Sequence, residues 1–94
     1  MNNIAGQLTE IVVVINNLNE IHSDSSVPRN VREKVKNSII VLEEKNVDIA
    51  IKINKSLQEL DELSDDPNIP VYTRTQIWNV VTLLETIQNR NIYI

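Results

Sequence analysis

The sequence predicts an all-α protein, a compact four-helix bundle made of two repeated helical hairpins. Apolar residues recur at steps of three and four, as on one face of a helix. Two short polar segments each end in a proline, Pro28 or Pro70. Residues 18–43, shifted by 42 positions, match residues 60–85 with eight identities and no gap. We therefore expect one domain over residues 1–94, with pseudo-repeats at about 4–45 and 47–89.

The first predicted hairpin joins helices at about residues 3–22 and 28–45. The β-branched run 11–15 alone is typical of a buried strand, but the apolar stripe continues in helical register on both sides of it. Pro28 suits a first helical position, where its missing N–H had no partner in any case. The stripe of the first helix consists of Ile4, Leu8, Ile11, Ile15, Leu18 and Ile21.

The second predicted hairpin joins helices at about residues 47–64 and 70–89. Its polar turn at 64–68 is followed by Pro70, and Asn46 before it ends one helix or caps the next. Two helix pairs of about 42 residues also fit HEAT-like repeats. A solenoid needs about three or more units, so a closed bundle is the favoured arrangement.

Composition excludes most of the usual active sites. The chain has no Cys, one His and one Gly, which leaves no thiolate metal site, no multi-His zinc centre and no phosphate-binding glycine loop. The net charge of −4 does not fit a protein that coats nucleic acid. No apolar run is long enough to span a membrane, and no leader pattern is visible. We expect a cytoplasmic protein with no cofactor, no bound metal and no membrane partner.

One family resemblance is carried by motifs at the second turn. Residues 66–70 (Asp-Pro-Asn-Ile-Pro), 73–75 (Thr-Arg-Thr) and 77–79 (Ile-Trp-Asn) resemble the archaeal Uncharacterised Protein Family 0147. Residues 27–32 are similar to its first turn, and the resemblance extends over about residues 8–88. It implies an all-helical bundle. The family has no established activity, cofactor or catalytic residue, so the resemblance implies none for this chain.

Two aspartate–arginine pairs occupy equivalent positions in the repeats. Arg32 follows Asp24 by eight residues, as Arg74 follows Asp66. Each arginine falls near a helix start, where a positive charge opposes the helix dipole and needs an offsetting contact. The structural interpretation is an ion pair or bonds to turn carbonyls. The functional interpretation is an anion site that uses both arginines and the two helix N-termini.

Charge is polarised along the chain. Four basic residues lie within eight positions, and an acidic stretch covers 59–66. The first interpretation is two solvated faces that attract each other weakly. The second is a basic docking patch for RNA or an acidic partner, although no aromatic residue lies within it to stack on bases. A divalent-ion site in the acidic stretch lacks an ordered ligand spacing. The basic patch consists of Arg29, Arg32, Lys34 and Lys36.

Trp78 breaks the repeat, because the equivalent residue of the first copy is Lys36. Val71 and Tyr72 likewise replace polar residues. Trp78 either packs within the monomer, against the first helix or the tail 91–94, or forms a contact surface with another protein or a second copy in a homodimer. Val71, Tyr72 and Trp78 are therefore the interaction candidates.

Three function classes follow. The first is a non-enzymatic protein-interaction module or small scaffold, favoured by the repeat and the added apolar strip. The second is an RNA- or ribosome-associated factor that uses residues 29–36. The third is an enzyme that works with carboxylates, arginines or tyrosines alone, and it is the least favoured.

Overall fold

The computed structural model describes the backbone of residues 4–92 and the side chains of residues 9–90. This part of the chain forms four α-helices and no strand. The prediction of an all-α, four-helix protein is confirmed. The helices are α1 (Ile4–His22), α2 (Arg29–Glu43), α3 (Ile49–Asp61) and α4 (Val71–Ile92).

The helices form a closed ring of neighbours. α1 packs against α2 and α4, and α3 packs against the same two helices. Each connection is short and reverses the chain, so the turns before α2 and α4 lie at the same end of the bundle. The Asn30 amide at the start of α2 donates to the Asp66 carboxylate of the other turn at 3.2 Å. An ion pair between Arg90 and Glu10 joins α4 to α1.

The predicted apolar stripes supply the core. In α1 the side chains of Ile11, Leu18 and Ile21 are buried and Ile15 is half-buried, whereas the side chains of Ile4 and Leu8 lie outside the described residues. The run 11–15 is helical. The other buried apolar residues are Val14, Val27, Val31, Val35, Ile39, Leu42, Ile53, Leu60, Leu63, Ile69, Ile77, Val80, Leu84 and Ile87.

The end of α1 at His22 matches the prediction, and the other helix ends differ from it by one to three residues. α2 ends at Glu43 rather than 45, because Glu44 has extended backbone angles. α3 begins at 49 rather than 47, because the Asp48 carboxylate caps the helix by accepting from the Ala50 N–H at 2.9 Å. The predicted end at 64 is also too late, since α3 ends at Asp61 and i→i−3 turn bonds follow. α4 continues past the predicted residue 89 to Ile92.

Asn46 neither ends α2 nor caps α3. It lies in the connection between them with a φ of 63°, the left-handed conformation that asparagine tolerates better than most residues. The prediction that Asn46 ends one helix or caps the next is therefore wrong: Glu44 follows the end of α2, and Asp48 caps α3.

Candidate interaction surface

The solvent side of α4 carries an uncharged strip, which we call the α4 outer face: Val71, Thr75, Trp78, Thr82 and Thr86. These positions follow one another by steps of three and four and are all exposed. The core positions of the helix lie on the opposite side. Trp78 is 67% exposed and Val71 80% exposed, so neither belongs to the core. Tyr72, the third interaction candidate, is also exposed, beside this strip.

The threonines make the α4 outer face less polar than its sequence indicates. Thr75 donates its hydroxyl to the Val71 carbonyl at 3.3 Å. Thr82 donates to the Trp78 carbonyl and Thr86 to the Thr82 carbonyl, each at 2.9 Å. Each hydroxyl proton is thus used within the helix. A partner that covers these side chains leaves no threonine donor without an acceptor.

An apolar groove of about 320 Å³ opens beside Trp78, between α3 and the start of α4. Asp61, Ser64 and Arg74 also line it. The strip and the groove therefore meet at Trp78, where a projecting side chain stands next to an apolar recess. The apolar lining consists of Leu60, Leu63, Ile69, Ile77, Trp78 and Val81.

The matching positions of α2, 42 residues earlier, form the α2 outer face: Arg29, Glu33, Lys36 and Ile40. Arg29 and Glu33 form an exposed ion pair at 3.3 Å, and Lys36 stands where α4 has Trp78. Ile40, which matches Thr82, is also exposed. The two faces occupy matching positions, but only that of α2 is charged.

The contrast extends to whole helices. α1 and α4 together contain five charged residues in 41, and two of these, Glu10 and Arg90, pair with each other. α2 and α3 together contain ten in 28. Because α1 and α4 are neighbours, one side of the bundle is poor in charge. The exposed Val12 and Val13 of α1 add to this side, and no repeat or motif in the sequence marks them.

The aspartate of the first turn organises its own backbone. The carboxylate of Asp24 accepts from the Ser26 N–H at 2.9 Å and from the Ser26 hydroxyl at 2.6 Å. These bonds lower the pKa of Asp24, and the charge of Arg32 adds to the effect. The Arg32 guanidinium donates to the Val27 carbonyl at 3.1 Å.

The second turn repeats the aspartate bond, but its arginine binds different carbonyls. The Asp66 carboxylate accepts from the Asn68 N–H at 2.9 Å. The Arg74 guanidinium donates to the carbonyls of Ser64 and Asp66 at 2.9 and 2.8 Å. Both arginines thus bind carbonyls of their own turns, which is the geometry that the structural interpretation expects. The anion site remains an untested alternative.

Three of the four residues of the basic patch contact other groups of the chain. Arg29 pairs with Glu33, and Arg32 binds a turn carbonyl. Lys34 lies between α2 and α3, where it hydrogen-bonds Glu62 and approaches Glu59 at 3.6 Å. The bond to Glu62 is the main cause that raises the pKa of Lys34. Lys36 is exposed on the α2 outer face.

A second, polar cleft of about 190 Å³ lies between α1 and α4, lined by Asn17, Glu20, Tyr72, Gln76 and Asn79. The buried Oε1 of Gln76 has no hydrogen-bond partner in the described structure. Among the described residues there is no group of three or more His, Asp or Glu side chains placed to hold a metal ion. Nor is any described helix long and apolar enough to cross a membrane.

Comparison with known proteins shows that the sequence of this chain matches one family. Residues 1–87 match the model of an Uncharacterised protein family (UPF0147). A UPF0147 protein of Sulfurisphaera tokodaii is 40% identical over 72 residues, covering 77% of this chain and 81% of the relative. Curated relatives from several archaea are about 35–43% identical.

Two solved structures are similar to this chain throughout most of its length. The crystal structure of a protein of unknown function, MMP1188, is 38% identical with a TM-score of 0.79, covering 82% of this chain and 88% of the other. The crystal structure of a protein from the same uncharacterised family of Thermoplasma acidophilum is 30% identical with a TM-score of 0.81, covering 85% and 94%.

Proposed function

We propose from its structure that this chain, which belongs to the Uncharacterised protein family (UPF0147), is a non-enzymatic protein-interaction module. The function of the family is not known, so the proposal rests on the structure alone. Its contact surface is the α4 outer face with the adjoining groove. The observation that carries the proposal is Trp78, a large aromatic side chain left 67% exposed beside an apolar recess. We also propose a cytoplasmic setting.

The composition of the α4 outer face supports an interface. The cores of protein interfaces are depleted of charged residues and enriched in tryptophan and tyrosine, and binding energy concentrates at such residues. Trp78 and Tyr72 supply the aromatic groups, and Val71 extends the apolar strip by two turns. Exposed apolar residues scattered singly need no explanation, but these lie together on one helix, and Val71 and Trp78 share its uncharged strip.

The α2 outer face supports the same conclusion by contrast. It has the same place in its hairpin and bears the charged side chains that a solvated helix normally carries. The replacement of Arg29 and Lys36 by Val71 and Trp78 is therefore not a requirement of the fold. It is a property of α4 alone, and contact with a partner accounts for it.

The RNA-associated alternative has weaker support. Three of the four residues of the basic patch are engaged within the chain: Arg29, Arg32 and Lys34. Phosphate binding relies on basic side chains that can replace counterions along the backbone. An RNA-binding role would have to break these contacts or depend mainly on Lys36.

Affinity purification with tagged variants, in which the retained cellular components are compared, tests the proposal. We compare the native chain with Trp78→Glu, and with Lys36→Glu as the matched control 42 positions earlier. Both substitutions are at exposed positions, so neither removes core packing. We expect the native chain and Lys36→Glu to retain the same discrete protein, and Trp78→Glu to lose it, whether or not nuclease is present.

Two outcomes would contradict the proposal. If Trp78→Glu retains every protein that the native chain retains, the α4 outer face is not the contact surface. If the retained material is removed by nuclease and by Lys36→Glu, the RNA-associated alternative replaces the interaction module. Mass spectrometry of the retained protein also tells whether it is a second copy or a different chain.

A further inference from the structure

We propose that the occupant of the α4 outer face is a second copy of this chain, in a two-fold symmetric dimer in which each Trp78 enters the groove of the other copy. The inference rests on the proposed function, since it names the partner of the same surface. Charge, size and the position of the groove support it.

The charge distribution favours self-association through this face. In a two-fold dimer every residue near the axis meets its own equivalent, so a charge there meets the same charge. The five side chains of the α4 outer face are uncharged, and the exposed Arg74 and Glu85, of opposite charge, lie at its edge four residues before and seven residues after Trp78. The α2 outer face would bring Arg29 and Lys36 against their own copies. A binding site for a charged partner would instead carry the opposite charge, and this strip carries none.

The size of the surface is sufficient for a weak dimer. Twenty-two residues make α4 about 33 Å long, and a helix with its side chains is about 10 Å wide. On its groove side α4 is bordered by α3, whose 13 residues are about 20 Å long. Together the two helices present roughly 500 Å² to a partner. That is below the roughly 800 Å² per partner of a standard interface and within the range of weak ones.

The groove supplies the feature that a self-complementary surface needs. A two-fold interface places a projection of one copy into a recess of the other, so both must lie on the same patch. Trp78 projects beside a groove of about 320 Å³ lined by Leu60, Leu63 and Ile69. Asp61 also lines this groove, and its carboxylate can accept the indole N–H, the only polar group of the entering side chain.

The mass of the purified protein in solution tests the inference. Sedimentation equilibrium from about 1 μM to about 1 mM spans the affinities of modest interfaces. We expect the native chain and the control Lys36→Glu to reach twice the monomer mass of 10.8 kDa. Trp78→Glu should raise the dissociation constant of the dimer by at least about 30-fold, the effect of losing one hot-spot residue.

A second variant keeps the inference testable if Trp78→Glu does not fold. Thr82→Arg retains Trp78 but brings two like charges together near the axis, so it should also shift the equilibrium to monomer. Circular dichroism and thermal unfolding check that each variant keeps the helical fold. Fluorescence gives a further readout, because Trp78 is the only tryptophan and its emission should shift to the blue as the dimer forms.

Each result bears on the inference. A native chain that stays monomeric at every concentration overturns the dimer, and the proposed function then stands or falls on Trp78-dependent retention of a different protein. A dimer that neither Trp78→Glu nor Thr82→Arg weakens uses another surface, and it also overturns the inference. A dimer lost in both variants and kept in Lys36→Glu supports it.

Discussion

At the scale of single residues, the two aspartate turns have clear physical causes. Asp24 and Asp66 each accept a backbone N–H from two residues ahead, the Asx-turn bond that aspartate favours. Arg32 and Arg74 then bind carbonyl oxygens of these turns. The sequence predicted that the four residues are equivalent in pairs. It left open whether the arginines bind carbonyls or an anion, because that depends on where carbonyls point.

Ser26 sets the acid behaviour of the first turn. Its hydroxyl and N–H bonds to Asp24 depress the pKa of that carboxyl below the ordinary value of 3.8. We expect Ser26→Ala to raise the pKa of Asp24, because the hydroxyl bond is lost and the N–H bond remains. An NMR titration of the Asp24 carboxyl measures the shift, with Ser25→Ala as the control.

The direction of the pH effect on stability follows from the sign of this shift. A carboxyl with a depressed pKa in the folded state adds stability above its unfolded pKa, and that contribution is lost as the pH falls through the folded pKa. Native protein should therefore exceed Ser26→Ala in unfolding free energy at neutral pH, with the Asp24 contribution fading below about pH 4. A pKa of Asp24 that is the same in both proteins would contradict this explanation.

Trp78 shows what a residue-level comparison can and cannot predict. The mismatch with Lys36 is visible in the sequence and marks the position as unusual. Whether the side chain packs inside or stands at the surface depends on its angle around α4 relative to the core positions. The structure leaves it 67% exposed.

At the scale of elements, apolar spacing predicted the helices and local bonds determined their ends. The periodicity of α3 continues through Leu63, which is buried, although the helix stops at Asp61. A residue can thus belong to the apolar stripe and the core without belonging to the helix. Periodicity could not reveal this, because it records which side chains are buried and not which carbonyls bond to which N–H groups.

Substitutions at Asn46 test how much its backbone conformation, in the connection between the hairpins, contributes to the free energy of unfolding. Its φ of 63° is accessible to glycine and costs most other residues about 1–2 kcal/mol. We expect Asn46→Ala to lower the free energy of unfolding by about 1 kcal/mol and Asn46→Gly to leave it nearly unchanged. Urea denaturation measures both. Equal loss in the two variants would indicate that the asparagine side chain, rather than the backbone conformation, stabilises the connection.

At the scale of the whole molecule, the distribution of charge is the main finding. The low charge of segments 4–22 and 71–92 can be read from the sequence, but the two segments lie far apart in the chain. They form one surface only because the bundle closes with α1 against α4. A pairwise comparison of repeats identifies the α4 strip alone. The packing of the helices adds Val12 and Val13 to this side, and it places the groove on the other flank of α4, against α3.

Family membership accounts for the fold of this chain but does not give its function, which has to be inferred from its surface. The solved structures similar to this chain share its architecture and are of proteins without a known function. What remains to be tested is therefore whether the charge-poor side of the bundle contacts a partner while the charged side faces solvent.

Photo-crosslinking at matched positions tests this central claim most directly. The chain has no cysteine, so Thr82→Cys and Ile40→Cys each accept a single benzophenone label, on the α4 and α2 outer faces respectively. The labelled proteins are irradiated in native lysate, and the adducts are compared by mass. We predict adducts from the label at position 82, either with a second copy or with another protein, and only background from position 40. Equal adducts from both positions, or adducts from position 40 alone, would contradict the claim.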